Sequence, residues 1–262
     1  MDITKKLVIQ RIIGEDRAEV EDIAVREIPL TIVLNNQELV TLLCSPADLQ
    51  YLAIGFLASE GLIKSKDEIK RIVADDEKGK VCIDTISGRK DDQASLSKRV
   101  LTSSGGRHTS LNSVANNKGQ KVESQTIISP LQVYALVEVF LQYSKIFRTT
   151  GGVHSAALCD TSNILIFNED IGRHNAIDKI FGRCMLKDFS TSGKIMITSG
   201  RISSEILLKV SRRNIPILIT KAAPTDRGVK LADTLGVTLI GFVRGQQMNI
   251  YSHGYRVTTV GK

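Results

Sequence analysis

The sequence predicts an α/β fold with a sheet of parallel strands, and two features of the chain lead to that prediction. The first is an alternation of strand-like and helix-like segments over residues 194–243, which is typical of parallel strands joined by right-handed helical crossovers. The second is a set of polar turns, several with glycine, directly after those strands. Ligands of such sheets bind outside the carboxyl ends of the strands. The turns therefore mark where a ligand site is expected.

The N-terminal part begins with a hairpin pattern. Apolar and polar side chains alternate through residues 28–43, interrupted by a turn-like stretch at residues 35–37, which predicts two antiparallel strands. A helix is expected next, because Ser45 can cap it, Pro46 suits its first position and Asp48 completes a pattern similar to a capping box.

The periodicity of apolar residues fades between residues 87 and 125, where Gly, Ser, Asn and charged residues dominate. A linker or a long mobile loop is expected there. We place this loop in an N-terminal α+β part, residues 1–128. An α/β core that carries the ligand site is predicted for residues 129–262, and it begins with a helix capped by Ser129 and opened by Pro130.

The most informative stretch covers residues 147–179. Two glycine-containing turns flank two strand-like runs at residues 155–158 and 164–167, and the second turn delivers Arg173 and His174 at the start of a predicted helix. A helix N-terminus attracts anions, and glycine allows a phosphate to approach the backbone. An ordinary strand–turn–helix unit, whose glycines only permit the turn, fits the same pattern.

The chain is basic, with a formal net charge of +7 and a pI of about 9.2. This charge favours an anionic partner without identifying it. Nucleic acid is not the expected partner, because the chain has no Trp, only 5% aromatic residues and no nucleic-acid-binding motif.

No apolar run reaches the length of a membrane span, and the first residues lack the apolar segment of a signal peptide. A cytoplasmic protein without membrane contact is therefore expected. The four cysteines are widely spaced and form no pair with metal-site spacing. Reduced, buried thiols and no metal site are predicted.

Short motifs spread over nearly the whole chain carry a family resemblance. They are Cys44-Ser45-Pro46-Ala47-Asp48, Gly55-Phe56-Leu57, Glu60-Gly61, Thr150-Gly151-Gly152-x-His154, Glu169-Asp170-x-Gly172-Arg173-His174-Asn175-Ala176-x-Asp178-Lys179, Ser199-Gly200-Arg201 and Phe242-x-Arg244. Together they resemble the FdhD/NarQ family of accessory proteins for formate dehydrogenase.

The resemblance implies a cytidine-deaminase-like three-layer α/β core, a homodimer and a sulfurtransferase role. Such a sulfur carrier would pass sulfur from a cysteine desulfurase to the bis-molybdopterin guanine dinucleotide molybdenum cofactor, before the cofactor enters the formate dehydrogenase apoprotein. The expected cofactor-binding residues combine the turn residues with a segment that the resemblance assigns to the cofactor. They are Gly152, His154, Gly172, Arg173, His174, Gly200, Arg201, Thr225, Phe242, Val243, Arg244, Gly245, Gln246 and Gln247.

One departure from the family concerns sulfur transfer. Family members carry a loop with two cysteines, and Gly105 and His108 stand at those positions here. A persulfide needs a nucleophilic thiolate, which neither residue provides. Cys44 is the candidate substitute, because a helix N-terminus beside it would lower its pKa. No catalytic residue is therefore assigned, and whether the chain is an active sulfurtransferase stays open.

Three alternatives follow from the same residues. A chaperone that binds the molybdenum cofactor without carrying sulfur would keep every turn residue and would need no loop cysteine. A general nucleotide-binding protein is a broader version of that alternative. A zinc deaminase is excluded, because residues 154–156 lack the glutamate of the His-x-Glu motif and no Pro-Cys pair occurs.

Overall fold

The computed structural model describes residues 2–87, the backbone of residues 99–101, and residues 121–258. The first strands are β1 (Thr4–Ile13), β2 (Asp16–Val25), β3 (Ile28–Leu34), β4 (Gln37–Cys44), β5 (Ile69–Asp75), β6 (Lys80–Thr85) and β7 (Arg99–Leu101). The later strands are β8 (His154–Cys159), β9 (Ile164–Asp170), β10 (Ile195–Thr198), β11 (Ile217–Thr220), β12 (Thr238–Arg244) and β13 (Gln247–Ser252). The helices are α1 (Leu49–Ser59), α2 (Pro130–Tyr143), α3 (Lys145–Thr150), α4 (Arg173–Leu186), α5 (Ser204–Ser211) and α6 (Asp226–Leu235).

The N-terminal part is a mixed sheet of order β5-β6-β3-β4-β7. The predicted hairpin is confirmed as β3 and β4, which pair antiparallel. Apolar residues of this sheet and of α1 share one buried cluster that includes Ile32, Val81 and Phe56. Strands β1 and β2 form a separate two-stranded ribbon, which the sequence analysis did not predict.

The predicted α/β core is confirmed as a sheet of order β13-β12-β11-β10-β8-β9, in which β10, β11 and β12 are parallel. Alternate side chains of the strands enter two different cores. Met196 and Leu218 pack with α4, α5 and α6, whereas Ile197 and Ile219 pack with α2. A sheet buried on both faces explains why these strands are almost wholly apolar. The more specific cytidine-deaminase-like description stays a prediction.

Two glycines join the N-terminal part to the core. A Cβ atom on Gly55 of α1 would lie 1.7 Å from the Asp178 carbonyl oxygen, and one on Gly182 of α4 would lie 1.9 Å from the Tyr51 carbonyl oxygen. Only residues without a side chain allow two helix backbones to approach so closely. Helices α1 and α4 therefore cross in direct backbone contact.

The predicted capping box before α1 is wrong. The helix begins at Leu49, and Asp48 precedes it in a left-handed conformation (φ 56°) without a capping side chain. Its carboxylate instead accepts a hydrogen bond of 2.6 Å from Asn168 Nδ2. Ser45 Oγ accepts one of 3.1 Å from the Ile171 N–H. The side chains that were expected to cap the helix thus form hydrogen bonds with β9 and with the turn after it.

The long loop predicted for residues 87–125 lies largely outside the described residues. Within that range, Arg99–Leu101 forms strand β7 and pairs in parallel with β4. Val122 is buried in the core with α6, and its N–H donates to the Leu235 carbonyl at 2.8 Å. The division of the chain at residue 128 stays a prediction.

Candidate functional site

The sheet brings four turns to one edge. Strands β10, β11 and β12 end there, whereas β8 runs antiparallel to β10 and begins there. His154, the first residue of β8, is paired with Asp170, the last residue of β9. The turns at residues 151–153, 171–172, 199–203 and 221–225 consequently meet at the carboxyl edge of the parallel strands, where the sequence analysis expected a ligand.

Asp170 organises the turn before α4. The carboxylate is fully buried and accepts hydrogen bonds from the N–H of Gly172 at 2.9 Å, from Asn175 Nδ2 at 2.9 Å and from the N–H of Ser45 at 3.1 Å. It also lies 2.7 Å from Lys179 Nζ, which is equally buried. This network fixes the point where α4 begins and ties it to the end of β4.

Arg173 is the first residue of α4, and its side chain lies against Gly200. A Cβ atom on Gly200 would lie 3.0 Å from Arg173 Cβ and 3.2 Å from its Cδ. The glycine therefore makes room for the arginine side chain, rather than only for a ligand. Burial lowers the pKa of Arg173, and so does the positive charge of Arg201, while Glu205 acts in the opposite direction. Two guanidinium groups therefore share this edge and repel each other.

His154 is half-buried beside these arginines. Burial lowers its pKa, and the charges of Arg173 and Arg201 lower it further, while the charge of Asp170 acts in the opposite direction. The net lowering favours the neutral imidazole near pH 7. The Nδ1 atom lies 3.4 Å from Ser199 Oγ, and that oxygen accepts a 3.0 Å hydrogen bond from the Ser155 N–H. Ser199 thereby links the first residue of β8 to the turn after β10.

A cavity of about 360 Å³ opens at this edge. Its lining combines apolar side chains with an imidazole, serine hydroxyls and a lysine. The lining residues are Phe140, Leu141, Ser144, Phe147, Gly151, Gly152, Val153, His154, Ser155, Ile171, Ser199 and Lys221. An apolar pocket with a few polar groups is typical of sites for small organic ligands. The basic side chains add a preference for negative charge.

The segment at the end of β12 has an irregular backbone. Phe242 has a φ of 53°, and the register with β13 shifts between Gly241 and Arg244. Such bulges redirect side chains and are frequent next to functional sites. The Arg244 guanidinium lies over the Phe242 ring at 5.8 Å. Gly245, also at positive φ, and Gln246 form the exposed turn to Gln247 at the start of β13.

Three predicted site residues have structural roles. His174 is only 2% exposed, and its Nε2 atom lies 3.6 Å from Glu205 Oε2. Val243 is 1% exposed in the core beside α2. Thr225 caps α6, because its hydroxyl oxygen accepts a 3.1 Å hydrogen bond from the Gly228 N–H. A direct ligand contact of the His174 or Val243 side chain would require a local rearrangement.

Two predicted glycines serve the turns themselves. Gly172 is the N-cap of α4, in an extended conformation. A Cβ atom on Gly152 would lie 2.7 Å from Val25 Cγ1, so this glycine allows β2 to pack beside the cavity. Neither role excludes a ligand contact through the backbone.

Lys221 was missed by the sequence analysis, and Ser199 was given no role. Lys221 directly follows β11 and lines the cavity together with Ser199. A search for polar residues immediately after each predicted parallel strand would have found both, because the carboxyl ends of these strands lie along one edge of the sheet. Glu169 was also missed as a structural residue. Its carboxylate accepts hydrogen bonds of 3.1 Å from the N–H groups of Ile146 and Phe147 at the start of α3.

The expectation that the helix N-terminus lowers the pKa of Cys44 is wrong. It is fully buried, and burial together with the negative charge of Asp170 raises its pKa to about 12. Burial likewise raises the pKa of Cys159 to about 12 and that of Cys184 to about 11. These three thiols are therefore protonated near neutral pH, as is typical of structural cysteines. Cys82, on β6, is partly exposed. Gly105 and His108 lie outside the described residues.

The described parts of the chain hold no cluster of metal ligands and no membrane-spanning helix. Within residues 2–87 and 121–258, no group of three or more His, Cys, Asp or Glu side chains is arranged to hold a metal ion. None of the described helices has the length and apolar character needed to span a membrane.

Comparisons with known proteins identify the family. Residues 25–258 match the sequence model of the FdhD/NarQ family. The chain is 44% identical over 241 residues to the sulfur carrier protein FdhD of Bacillus subtilis (strain 168), with 92% of each chain covered. It is 37% identical to the protein of that name from Listeria innocua, over 98% of this chain and 100% of the relative.

A solved structure has the same fold. The crystal structure of a protein described as a formate dehydrogenase accessory protein, from Desulfotalea psychrophila, superimposes with a TM-score of 0.80. The two chains are 23% identical, and the match covers 98% of this chain and 100% of the other. On the strength of the sequence match over most of its length, the chain belongs to the FdhD/NarQ family.

Proposed function

We propose that this chain is an accessory protein for formate dehydrogenase that binds the bis-molybdopterin guanine dinucleotide cofactor as its client at the carboxyl edge of the six-stranded sheet. The observation that carries the proposal is the placement of Arg173 and Arg201 close to His154, which lines one partly apolar cavity together with Lys221. Family membership and the names of the relatives support the choice of client enzyme. A cytoplasmic homodimer that works with a cysteine desulfurase and the formate dehydrogenase apoprotein belongs to the same proposal.

The residues at the edge fit the chemistry of such a client. Its pyrophosphates are anionic and match two guanidinium groups that otherwise repel each other, because a bound anion would relieve that repulsion. Its guanine and pterin rings are flat and partly apolar, and Phe147, which is 46% exposed, lines the cavity. A neutral His154 can still donate or accept a hydrogen bond from its Nε2 atom.

The cysteines favour a cofactor-binding role without sulfur transfer over the sulfur-carrier role of the relatives. The two family cysteines are replaced by Gly105 and His108, and the raised pKa values of Cys44, Cys159 and Cys184 oppose thiolate formation. The nucleophile that a persulfide requires is thus missing from the loop and disfavoured at those three sites. We infer that the chain holds the cofactor and that sulfur, if delivered, is carried by another protein.

Removal of Arg173 should weaken nucleotide binding. Guanosine diphosphate is the probe, because it carries the guanine and phosphate groups of the client. A lost hydrogen bond to a charged group costs about 1.5–3 kcal/mol, so Arg173→Ala should raise the dissociation constant roughly ten-fold or more. Arg201→Ala and Arg244→Ala should act in the same direction. Isothermal titration calorimetry at constant ionic strength measures the effect.

The matched control for this titration is Arg71→Ala. Arg71 is exposed on β5 of the N-terminal sheet, so its removal changes the net charge by the same amount at a different place. Its affinity for guanosine diphosphate should equal that of the unchanged chain. If the Arg173, Arg201 and Arg244 variants all bound guanosine diphosphate as tightly as the unchanged chain, the assignment of the site would be contradicted.

Mass spectrometry separates the two functional roles. After incubation with a cysteine desulfurase and cysteine, the denatured chain should show no added sulfur atom. The double variant Gly105→Cys with His108→Cys, which restores the family's loop cysteines, should gain one and serves as the positive control. An added sulfur on the unchanged chain that Cys82→Ser or Cys44→Ser abolishes would make it a sulfur carrier through that cysteine.

A further inference from the structure

A second cavity lies at the other end of α4. Its volume is about 290 Å³, and the 14 residues of α4, at about 1.5 Å per residue, separate it from the candidate site. Residues of both parts of the chain line it: Lys64, Ser65, Lys66, Asp67, Phe181, Cys184, Met185, Asp188, Phe189, Ser190, Thr191 and Arg213.

Arg213 is the unusual residue of this cavity. Its guanidinium lies over the ring of Phe181 at 5.7 Å. Burial lowers its pKa, with the charge of Asp178 acting in the opposite direction. Among the residues that the structure describes, none forms a hydrogen bond or an ion pair with this guanidinium. A partly buried positive charge is costly unless an anion compensates it.

The neighbouring carboxylates have other partners. The Asp178 carboxylate forms an ion pair with Lys209 Nζ at 2.5 Å and accepts a 2.6 Å hydrogen bond from the Ser59 hydroxyl. Asp188 forms an ion pair with Lys66. Asp67 lines the cavity as well, and it is exposed to solvent.

Further donors face the same space. Lys64 supplies an exposed ammonium group from the N-terminal part. The hydroxyl oxygen of Ser190 accepts a 3.3 Å hydrogen bond from the Ser192 N–H, which leaves its own proton for another acceptor. The hydroxyl of Thr191 donates to the Arg213 carbonyl at 2.7 Å and holds this loop beside the arginine.

We propose that this cavity binds a tetrahedral oxyanion, phosphate or sulfate, between Arg213 and Lys64. The guanidinium and ammonium groups contribute charge, and the serine hydroxyl contributes a hydrogen bond, which is a common donor set for such anions. The volume suits a small ion with a few waters, because a water molecule occupies about 30 Å³ in the liquid. The ion would join the N-terminal part to the core, so its binding stabilises their association.

Calorimetric titration with inorganic phosphate, and separately with sulfate, tests this site. Arg213→Gln should weaken or abolish one binding component, by about ten-fold or more. Arg173→Ala, which removes an arginine of the other site, should leave that component unchanged, and so should the surface control Arg71→Gln. Lys64→Gln should weaken the same component by a few-fold, and Lys64 is too exposed for its loss to prevent folding.

A thermal unfolding scan without added anion first verifies that Arg213→Gln is folded. Guanosine monophosphate then distinguishes the source of the anion. If it competes with phosphate for this site, the site accommodates a phosphoryl group on a larger molecule. If it does not compete, the site accommodates only free ions. Phosphate binding to Arg213→Gln and to Lys64→Gln with the affinity and stoichiometry of Arg71→Gln overturns the proposal.

Discussion

Replacement of Gly55 with alanine is expected to abolish stable folding at 25 °C. The new Cβ atom would lie 1.7 Å from the Asp178 carbonyl oxygen and 2.9 Å from the Gly182 nitrogen. Both atoms belong to the backbone of α4, so no side-chain rotation relieves the overlap. The helices must separate, and the buried contacts between the N-terminal part and the core are lost. A destabilisation of about 5 kcal/mol or more is expected, which equals the whole stability of many domains.

Gly254→Ala is the matched control for this prediction. A Cβ atom there would meet only Ile250 Cγ2, at an ordinary distance of 3.6 Å, so the unfolding midpoint should change little. Soluble yield and urea unfolding followed by circular dichroism measure both variants, and Gly182→Ala should behave like Gly55→Ala. A Gly55→Ala protein that unfolds at the same urea concentration as the unchanged chain would contradict the described helix crossing.

Asp170→Ala is expected to cost about 3–5 kcal/mol, the typical effect of removing one partner from a buried ion pair. Lys179, which is 0% exposed, would lose the carboxylate 2.7 Å from its Nζ atom. The N–H groups of Ser45 and Gly172 would lose their acceptor as well. Because these groups set the start of α4, the variant should also bind guanosine diphosphate more weakly. Urea unfolding and calorimetry measure the two effects.

Two comparisons make this prediction specific. Glu21→Ala removes an exposed ion pair with Lys6 and should change stability by at most about 1 kcal/mol. Adding Lys179→Met to Asp170→Ala should recover part of the lost stability, because it removes the uncompensated charge. Strictly additive losses in the double variant would show that the pair is not coupled.

The sequence predicted much of the sheet and the edge at which its turns meet. Apolar strands 195–198, 217–220 and 238–244 alternate with helical segments, so local periodicity determines both the strands and the edge where their turns meet. The same reasoning placed Arg173 and Arg201 at one edge, because parallel strands end together. It could not distinguish Arg173, whose charge acts on His154 in the cavity lining, from the adjacent His174, which is 2% exposed.

What the sequence could not show are the long-range contacts. Ser45 and Asp48 have the pattern of a helix cap. Both side chains instead accept hydrogen bonds from β9 and the turn after it, more than a hundred positions along the chain. Cys44 precedes a helix, whose N-terminus was expected to lower the pKa of this thiol. Its pKa is raised instead, because its burial and the proximity of Asp170 depend on tertiary packing. The packing roles of Gly55 and Gly182 likewise appear only when the two helices are brought together.

We propose that the chain holds the guanine dinucleotide form of the molybdenum cofactor at the sheet edge. The most direct test is to purify the chain from cells that make this cofactor and to measure its molybdenum and guanine content. We expect both, in a ratio of about two guanines per molybdenum. The double variant Arg173→Ala with Arg201→Ala should lose most of both, while the Arg71→Ala control should retain them. Purified chain that contains neither, or a double variant that retains as much as the control, would contradict the proposal.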